Sequence, residues 1–145
     1  MTVVDRRARR RPGENRERLL EAGLIEFGLF GYHGAATAAI ARRADVPQPH
    51  IYANFSTKQE LFIACVEVAR AEALEQGAAD VSASTSRMLY QAVAALQEPP
   101  LHARLSSDLT ELLARIGRHR FAALLAAGAQ SLLGEPGVPL TDTGG

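Results

Sequence analysis

Residues 31–62 read GYHGAATAAIARRADVPQPHIYANFSTKQELF, and this stretch decides the fold. Its pattern predicts two short helices joined by a tight turn, with a third helix after them. Ser56 followed by Gln59 fits a capping box, so we expect the third helix to begin there. Two short helices joined in this way are typical of a helix-turn-helix DNA reader.

The first helix of the pair is expected over residues 36–44. Ile40, Ala41 and Ala44 recur at one-turn spacing and form one apolar face. Asp45 should end this helix, because aspartate tolerates the left-handed backbone that a sharp turn between helices requires. The chain can then turn directly into the next helix.

The second helix of the pair is short, over residues 48–54. Pro47 and Pro49 can lie only before it and in its first turn, where backbone N–H groups have no partner inside the helix. Ile51 and Phe55 are one turn apart and are expected to face inward. The polar side chains left on the outside suit base edges and phosphates; they are Gln48, His50, Tyr52 and Asn54.

This part of the chain, about residues 16–66, resembles the DNA-binding region of the TetR family of bacterial transcriptional regulators. The residues that carry the resemblance keep the order and spacing of the family: Phe27, Gly31-Tyr32, Ile40-Ala41, Ala44, Val46, Ile51-Tyr52, Phe55, Lys58 and Glu60-Leu61. The resemblance implies an all-α fold, in which a three-helix helix-turn-helix DNA-binding domain is followed by a helical dimerisation and effector domain. This second domain is short in the present chain, a departure from the family.

The resemblance also implies a double-stranded DNA operator as partner and a role for individual residues. Base contacts are expected from Gln48, Pro49 and His50. Phosphate contacts are expected from Thr37, Tyr52 and Lys58. The chain departs from the family pattern in the turn, where Asp45 replaces the usual glycine and Pro47 the usual capping serine.

The charge of the chain is zero overall but unevenly distributed. Residues 1–60 hold 10 Lys and Arg against 7 Asp and Glu, a net +3, whereas residues 61–145 hold 6 against 9, a net −3. Residues 1–13 are interpreted as a flexible basic arm that can lie along the DNA backbone or in the minor groove. Its arginines are Arg6, Arg7, Arg9, Arg10 and Arg11. A solvated tail without a DNA contact is the alternative.

The DNA-binding domain is predicted over residues 14–62, and its first helix should run from Glu14 to Phe30 and end at Gly31. Residues 63–134 are interpreted as a shortened helical dimerisation domain with a possible effector site, and 135–145 as a disordered tail. The amphipathic helices of residues 63–134 are expected to pair with those of a second copy in a four-helix bundle, so that the protein is a homodimer. The alternative is that they only close the core of the monomer.

Later helices carry apolar stripes at helical spacing: residues 85–97, which Pro99-Pro100 should end, then 101–116, then a last helix through Leu133 after Gly117. Alanines on the last helix, Ala122, Ala123, Ala126 and Ala127, should allow close helix approach. Five apolar residues are candidates to line a pocket for a small hydrophobic effector: Leu89, Val93, Leu109, Leu112 and Phe121. The same spacing is also that of ordinary core.

Several classes of protein do not fit the composition. The four histidines are dispersed without metal-ligand spacing, and no phosphate loop or nucleophile elbow occurs, so we expect no enzyme, no metal and no cofactor. No apolar run is long enough to cross a bilayer, and no signal peptide appears. The single cysteine, Cys65, cannot form an internal disulfide, and the expected location is the cytoplasm.

Taken together, these patterns predict a sequence-specific DNA-binding transcriptional regulator. The most specific form of the hypothesis is a TetR-type repressor that binds a near-palindromic operator as a homodimer and is released by a small effector. Two alternatives stay open: a helical protein–protein adaptor, and a truncated regulator that binds DNA without a ligand response.

Overall fold

The computed structural model describes residues 10–77 and 80–134, and within them every regular element is a helix. Seven α-helices follow one another: α1 (Glu14–Gly34), α2 (Thr37–Ala44), α3 (Ile51–Asn54), α4 (Lys58–Gln76), α5 (Ala83–Ala94), α6 (Pro99–Ile116) and α7 (Arg118–Leu133). Single 3-10 turns, Gln48–His50 and Ala95–Gln97, lie before α3 and after α5. The predicted all-α fold is confirmed. The predicted tail, 135–145, lies outside the described residues.

Helix α1 changes direction at Gly31, where the sequence predicts its end. Gly31 has φ 79° and ψ 174°, a backbone conformation that favours glycine, and one further turn continues to Gly34. Beside this kink, Gln91 on α5 donates a hydrogen bond to the carbonyl of Gly28 at 3.2 Å. The end of α1 is thereby joined to the C-terminal helices.

Helix α4 begins one residue later than the sequence predicts. Thr57 is the capping residue, and its Oγ1 accepts from the N–H of Glu60 at 3.1 Å. Glu60 in turn accepts from the backbone N–H of Ser56 at 2.9 Å. The predicted pair of Ser56 with Gln59 is therefore wrong. Both registers place a hydroxyl three residues before a Glu or Gln, so sequence alone does not separate them.

The core is one continuous cluster beneath α1, α2, α4, α5 and α6. Phe27, Tyr32 and Phe62 form its aromatic part, with ring centroids 5.0 Å apart for Phe27–Phe62 and 5.1 Å for Tyr32–Phe62. Helix α4 runs without a break across the predicted boundary between residues 62 and 63. The predicted DNA-binding part and the following helices therefore share one helix and one core.

The C-terminal helices differ in detail from the prediction. Helix α5 begins at Ala83 rather than at residue 85, because Ser82 caps it by accepting from the N–H of Thr85. Pro99 not only ends the preceding helix but opens α6, and Gly117, with φ 90°, separates α6 from α7 as predicted. Among the described residues, no helix combines the length and apolarity needed to cross a bilayer.

Close approach between α5 and α7 occurs at a glycine and not at the predicted alanines. A Cβ built on Gly128 would lie 2.3 Å from the carbonyl oxygen of Ser86, so only a residue without a side chain fits there. The alanines predicted to mediate close packing are exposed; they are Ala122, Ala123, Ala126 and Ala127.

Candidate nucleic-acid interface

The turn between α2 and the next helix has the geometry that the sequence predicts. Ile40, Ala41 and Ala44 on α2 are all buried. Asp45 has the left-handed conformation, with φ 56° and ψ 47°, and is the one non-glycine residue with positive φ among those described. Val46 follows it, buried, and donates its N–H to the carbonyl of Ala41 at 3.0 Å. The chain thus reverses within two residues.

We use the name reading segment for residues 48–54, which comprise the 3-10 turn and α3. Pro49 lies in the first turn, where its missing N–H leaves no helical hydrogen bond unmade. Ile51 is fully buried and Phe55, just beyond the segment, is 3% exposed. These two side chains hold the segment against the core, so its opposite side faces solvent.

The three residues predicted to contact bases lie together on that solvent side. Gln48, Pro49 and His50 are consecutive and all exposed. Tyr52, predicted to contact phosphate, is 53% exposed on the same short segment. Asn54 is different, because its side-chain amide donates a hydrogen bond to the carbonyl of His50 at 2.9 Å. The Asn54 side chain is therefore engaged within the reading segment.

Lys58 lies in the first turn of α4 and is only half-exposed. Its Nζ is 5.2 Å from the centroid of the Tyr32 ring, within range of a cation–π contact. Burial lowers the pKa of Lys58 and raises that of Tyr32. The ring of Tyr32 therefore faces the ammonium group of Lys58 in the first turn of α4, four residues after the reading segment ends.

Thr37, the other residue predicted to contact phosphate, opens α2. It is half-buried, and Ala36 before it has an extended backbone and provides no side-chain cap. The first N–H groups of α2 therefore have no side-chain acceptor from the capping position. They can donate hydrogen bonds to a phosphate of the DNA backbone.

Two contacts near this surface were missed by sequence reasoning. Arg43 on α2 donates from Nε to Glu26 on α1 at 3.0 Å, which accounts for a buried carboxylate on an otherwise apolar part of α1. Arg16 lies over the ring of Phe55 at 4.9 Å, next to the reading segment. Each pair joins residues at least 17 positions apart in the sequence, so no local spacing indicates it.

Of the predicted basic arm, Arg6, Arg7 and Arg9 lie outside the described residues. Arg10 does not lie free, because its side chain is only 6% exposed and is hydrogen-bonded to Asn15 and Asp45. The prediction of a flexible arm is therefore wrong for Arg10. Arg11 is exposed and pairs with Glu14 and Glu17.

The residues predicted to line an effector pocket are packed in the core. Leu89 and Leu112 are fully buried, Leu109 is 5% exposed, and Val93 and Phe121 are half-buried against the same cluster. Five surface cavities of about 190 to 310 Å³ lie elsewhere and are lined by none of these five residues. In this conformation the five residues contribute to packing.

Comparison with known proteins gives a match for the region just described. Residues 19–65 match the family model of the bacterial regulatory proteins of the tetR family. The HTH-type transcriptional activator FasR of Mycolicibacterium smegmatis is 42% identical over 64 residues, which are 43% of this chain and 29% of FasR. The uncharacterized HTH-type transcriptional regulator YdgC of Bacillus subtilis is 39% identical over 49 residues, 34% of this chain and 25% of YdgC.

The chain thus spans less than a third of the length of these curated relatives. A crystal structure of a candidate TetR-family transcriptional regulator from Mesorhizobium loti superposes with a TM-score of 0.52 at 19% identity, over 90% of this chain and 71% of that one. That likeness concerns the fold alone. The segment with the exposed Gln48-Pro49-His50 surface lies inside residues 19–65, the region that matches the family model of the bacterial regulatory proteins of the tetR family.

Proposed function

We propose that the chain is a sequence-specific DNA-binding transcriptional regulator. In this proposal Gln48, Pro49 and His50 contact base edges in the major groove. Thr37, Tyr52 and Lys58 contact phosphates on either side and set the depth of the reading segment. The observation that carries the proposal is the exposure of Gln48-Pro49-His50 on a segment fixed from behind by buried Ile51 and Phe55.

We further propose that the regulator acts as a homodimer on a near-palindromic operator in the cytoplasm. A two-fold dimer can place two reading segments one turn of duplex apart, about 34 to 36 Å. The solvent side of α6 and α7 supports this, because it exposes apolar side chains: Leu113, Ala122, Ala123, Ala126, Ala127, Leu132 and Leu133. A second copy of the same helices would cover them.

Two further questions are whether the regulator represses or activates and whether it responds to a small effector. We propose repression by occlusion of a promoter, whereas FasR, a relative of the matched region, is named an activator. A promoter fused to a reporter distinguishes the two, because deletion of the regulator raises expression only if it represses. The packed state of Leu89 and Leu112 favours a second candidate, a regulator that binds DNA without a ligand response.

The test separates base contacts from phosphate contacts. Duplexes that bind the protein are selected from random DNA, and affinity is then measured by fluorescence anisotropy at several salt concentrations. Gln48→Ala and His50→Ala should lose about five- to 150-fold on the selected duplex and change the preferred bases. Lys58→Gln should weaken binding to every duplex and reduce the salt slope by about 0.9 for each bound protomer, while Tyr52→Phe should weaken it with an unchanged slope.

Arg18→Gln is the matched control, since it removes one exposed charge on α1, outside the reading segment and the exposed side of α6 and α7, and should leave affinity unchanged. Thermal unfolding of each variant checks that the fold is intact. If all four variants bind as the parent does, this segment does not read DNA and the adaptor alternative is preferred. A salt-independent affinity of the parent would also contradict the proposal.

A further inference from the structure

The side chain of Arg10 connects the start of the described chain to the turn of the helix-turn-helix. Its Nη1 donates to Oδ1 of Asn15 at 2.9 Å and its Nη2 donates to Oδ2 of Asp45 at 3.0 Å. Its Nε lies 3.7 Å from Oε2 of Glu14. One guanidinium group thus spans α1 and a turn 35 residues further along the chain.

This guanidinium group is not placed to bind a phosphate. The Arg10 side chain is only 6% exposed, although the side chain of its partner Asp45 is 65% exposed. A planar guanidinium with two of its N–H groups committed to acceptors from different elements is fixed in position as well as neutralised. Arg10 is therefore suited to hold a protein group in place.

The group that it holds is the residue with the least favourable backbone in this region. Asp45 has φ 56°, the left-handed conformation, which side chains other than glycine disfavour. Its backbone sets the path from α2 to the reading segment, because Val46 immediately after it returns a hydrogen bond to Ala41. A different backbone conformation at Asp45 would change the angle of the reading segment to α2.

We propose that Arg10 is a positioning residue for DNA recognition, which holds Asp45 in the left-handed conformation and so keeps the reading segment at its binding angle. The proposal rests on the proposed function, because it concerns the affinity of that same surface for DNA. It assigns to Arg10 an action through Asp45 and no contact with DNA.

The central experiment is a double-mutant cycle with a rescue. Arg10→Gln should weaken binding to the selected duplex by about five- to tenfold, because the competent geometry of the turn is then populated only part of the time. Asp45→Gly should bind within about twofold of the parent, since glycine adopts the left-handed conformation without help. In the Asp45→Gly background, Arg10→Gln should change affinity by less than about twofold.

The matched control is Arg18→Gln on α1. Arg18 also pairs with Glu14, at 3.1 Å, but it has no contact with Asp45 and its side chain is 44% exposed. Its substitution removes the same charge from a neighbour of the same Glu14 and should leave the affinity unchanged. The salt slope of Arg10→Gln should equal that of the parent, because no phosphate contact is removed.

A second measurement needs no DNA. The Val46 amide, hydrogen-bonded to Ala41, should exchange with solvent faster in Arg10→Gln than in the parent, and this acceleration should disappear in the Asp45→Gly background. A global loss of stability in Arg10→Gln would instead accelerate amide exchange throughout α1, α2 and α4. The Asp45→Gly substitution would not reverse that acceleration.

The outcomes separate the two proposals. If the parent protein selects no duplex from random DNA, the proposed function is overturned and the role of Arg10 with it. A parent that binds, with Arg10→Gln equal to it in affinity and in Val46 exchange, overturns the role of Arg10 alone. An affinity loss that persists in the Asp45→Gly background, with a salt slope reduced by about 0.9 for each bound protomer, means that Arg10 is a phosphate ligand and also overturns the role of Arg10.

Discussion

Cys65 illustrates how the environment of one residue sets its chemistry. It is fully buried on α4, its Sγ lies 3.6 Å from the carbonyl oxygen of Leu20, and a Cβ on Gly23 would lie 2.7 Å from the same sulfur. Burial raises the pKa of the Cys65 thiol well above its usual range. Because the thiolate is the reactive form, this cysteine is a packing residue.

At this scale we expect Cys65 to be inert in the folded protein. A chromogenic disulfide reagent at neutral pH should label it in denaturant but not in the native state over the same time, because native labelling requires the core around α1 and α4 to open. The absorbance of the released thiolate measures the rate. Rapid stoichiometric labelling of the native protein would contradict the buried position.

At the scale of elements, the contact between α5 and α7 depends on one glycine. The missing side chain of Gly128 lets the two helices approach so closely that a Cβ there would lie 2.3 Å from the carbonyl oxygen of Ser86 and 3.1 Å from the Cβ of Tyr90. Arg87 adds a hydrogen bond across the same contact, donating to Oγ of Ser131 at 3.0 Å. Backbone atoms cannot turn aside as a flexible side chain can, so the contact admits no extra methyl group.

We therefore expect Gly128→Ala to lower the free energy of unfolding by about 1–3 kcal/mol, the usual effect of overpacking. At a helix position with free space around it, a Gly→Ala change would raise the free energy of unfolding by about 0.5–1 kcal/mol. Denaturant unfolding measures the difference. Gln130→Ala, on the exposed side of the same helix, is the control and should stay within about 0.5 kcal/mol of the parent. A Gly128→Ala protein more stable than the parent would show that the helices can separate without penalty.

For the whole molecule, the exposed apolar side of α7 bears on the proposed dimer. Leu133 is 73% exposed and Leu132 and Leu113 are each 36% exposed, next to a row of exposed alanines. The N-terminal helices bind the same core through α1 and α4, and His33 contacts Glu98 between the two parts. A dimer formed through α6 and α7 would therefore fix the distance between its two reading segments.

We expect the parent to be a dimer at micromolar concentration and Ala126→Glu to shift it towards monomer, because a carboxylate would be buried in the interface without a partner. Operator affinity should fall with it. Sedimentation velocity measures the mass, and Ala71→Glu on the exposed side of α4 is the control for the added charge. A monomeric parent that still binds the full operator would refute the dimer.

Much of the helix-turn-helix was predictable because its signals are local. The left-handed Asp45 and the inward positions of Ile51 and Phe55 were predicted and are confirmed, whereas the helix end predicted at Gly31 is a kink followed by one further turn. Each depends on the conformational preference of one residue or on helical spacing within one turn. Their roles on DNA, and those of Gln48 and His50, stay predictions.

The errors arose where several residues satisfied the same local rule, or where the partner was distant in sequence. Ser56 and Thr57 both fit the capping-box spacing, and the structure selects Thr57. Apolar spacing placed Leu89 and Leu112 on helices without showing whether they surround a cavity or fill a core. Arg10 belongs to an arginine-rich stretch typical of a flexible arm, yet its side chain is hydrogen-bonded to Asp45.

Local conformational preference and apolar periodicity, both written in the amino-acid order, were thus sufficient for the helical class, the turn and the exposed Gln48-Pro49-His50 surface. Only the packed chain decided the partners of Arg10 and the burial of the proposed effector residues. Such pairings depend on how helices distant in sequence are brought together, and a short-range pattern does not contain that information.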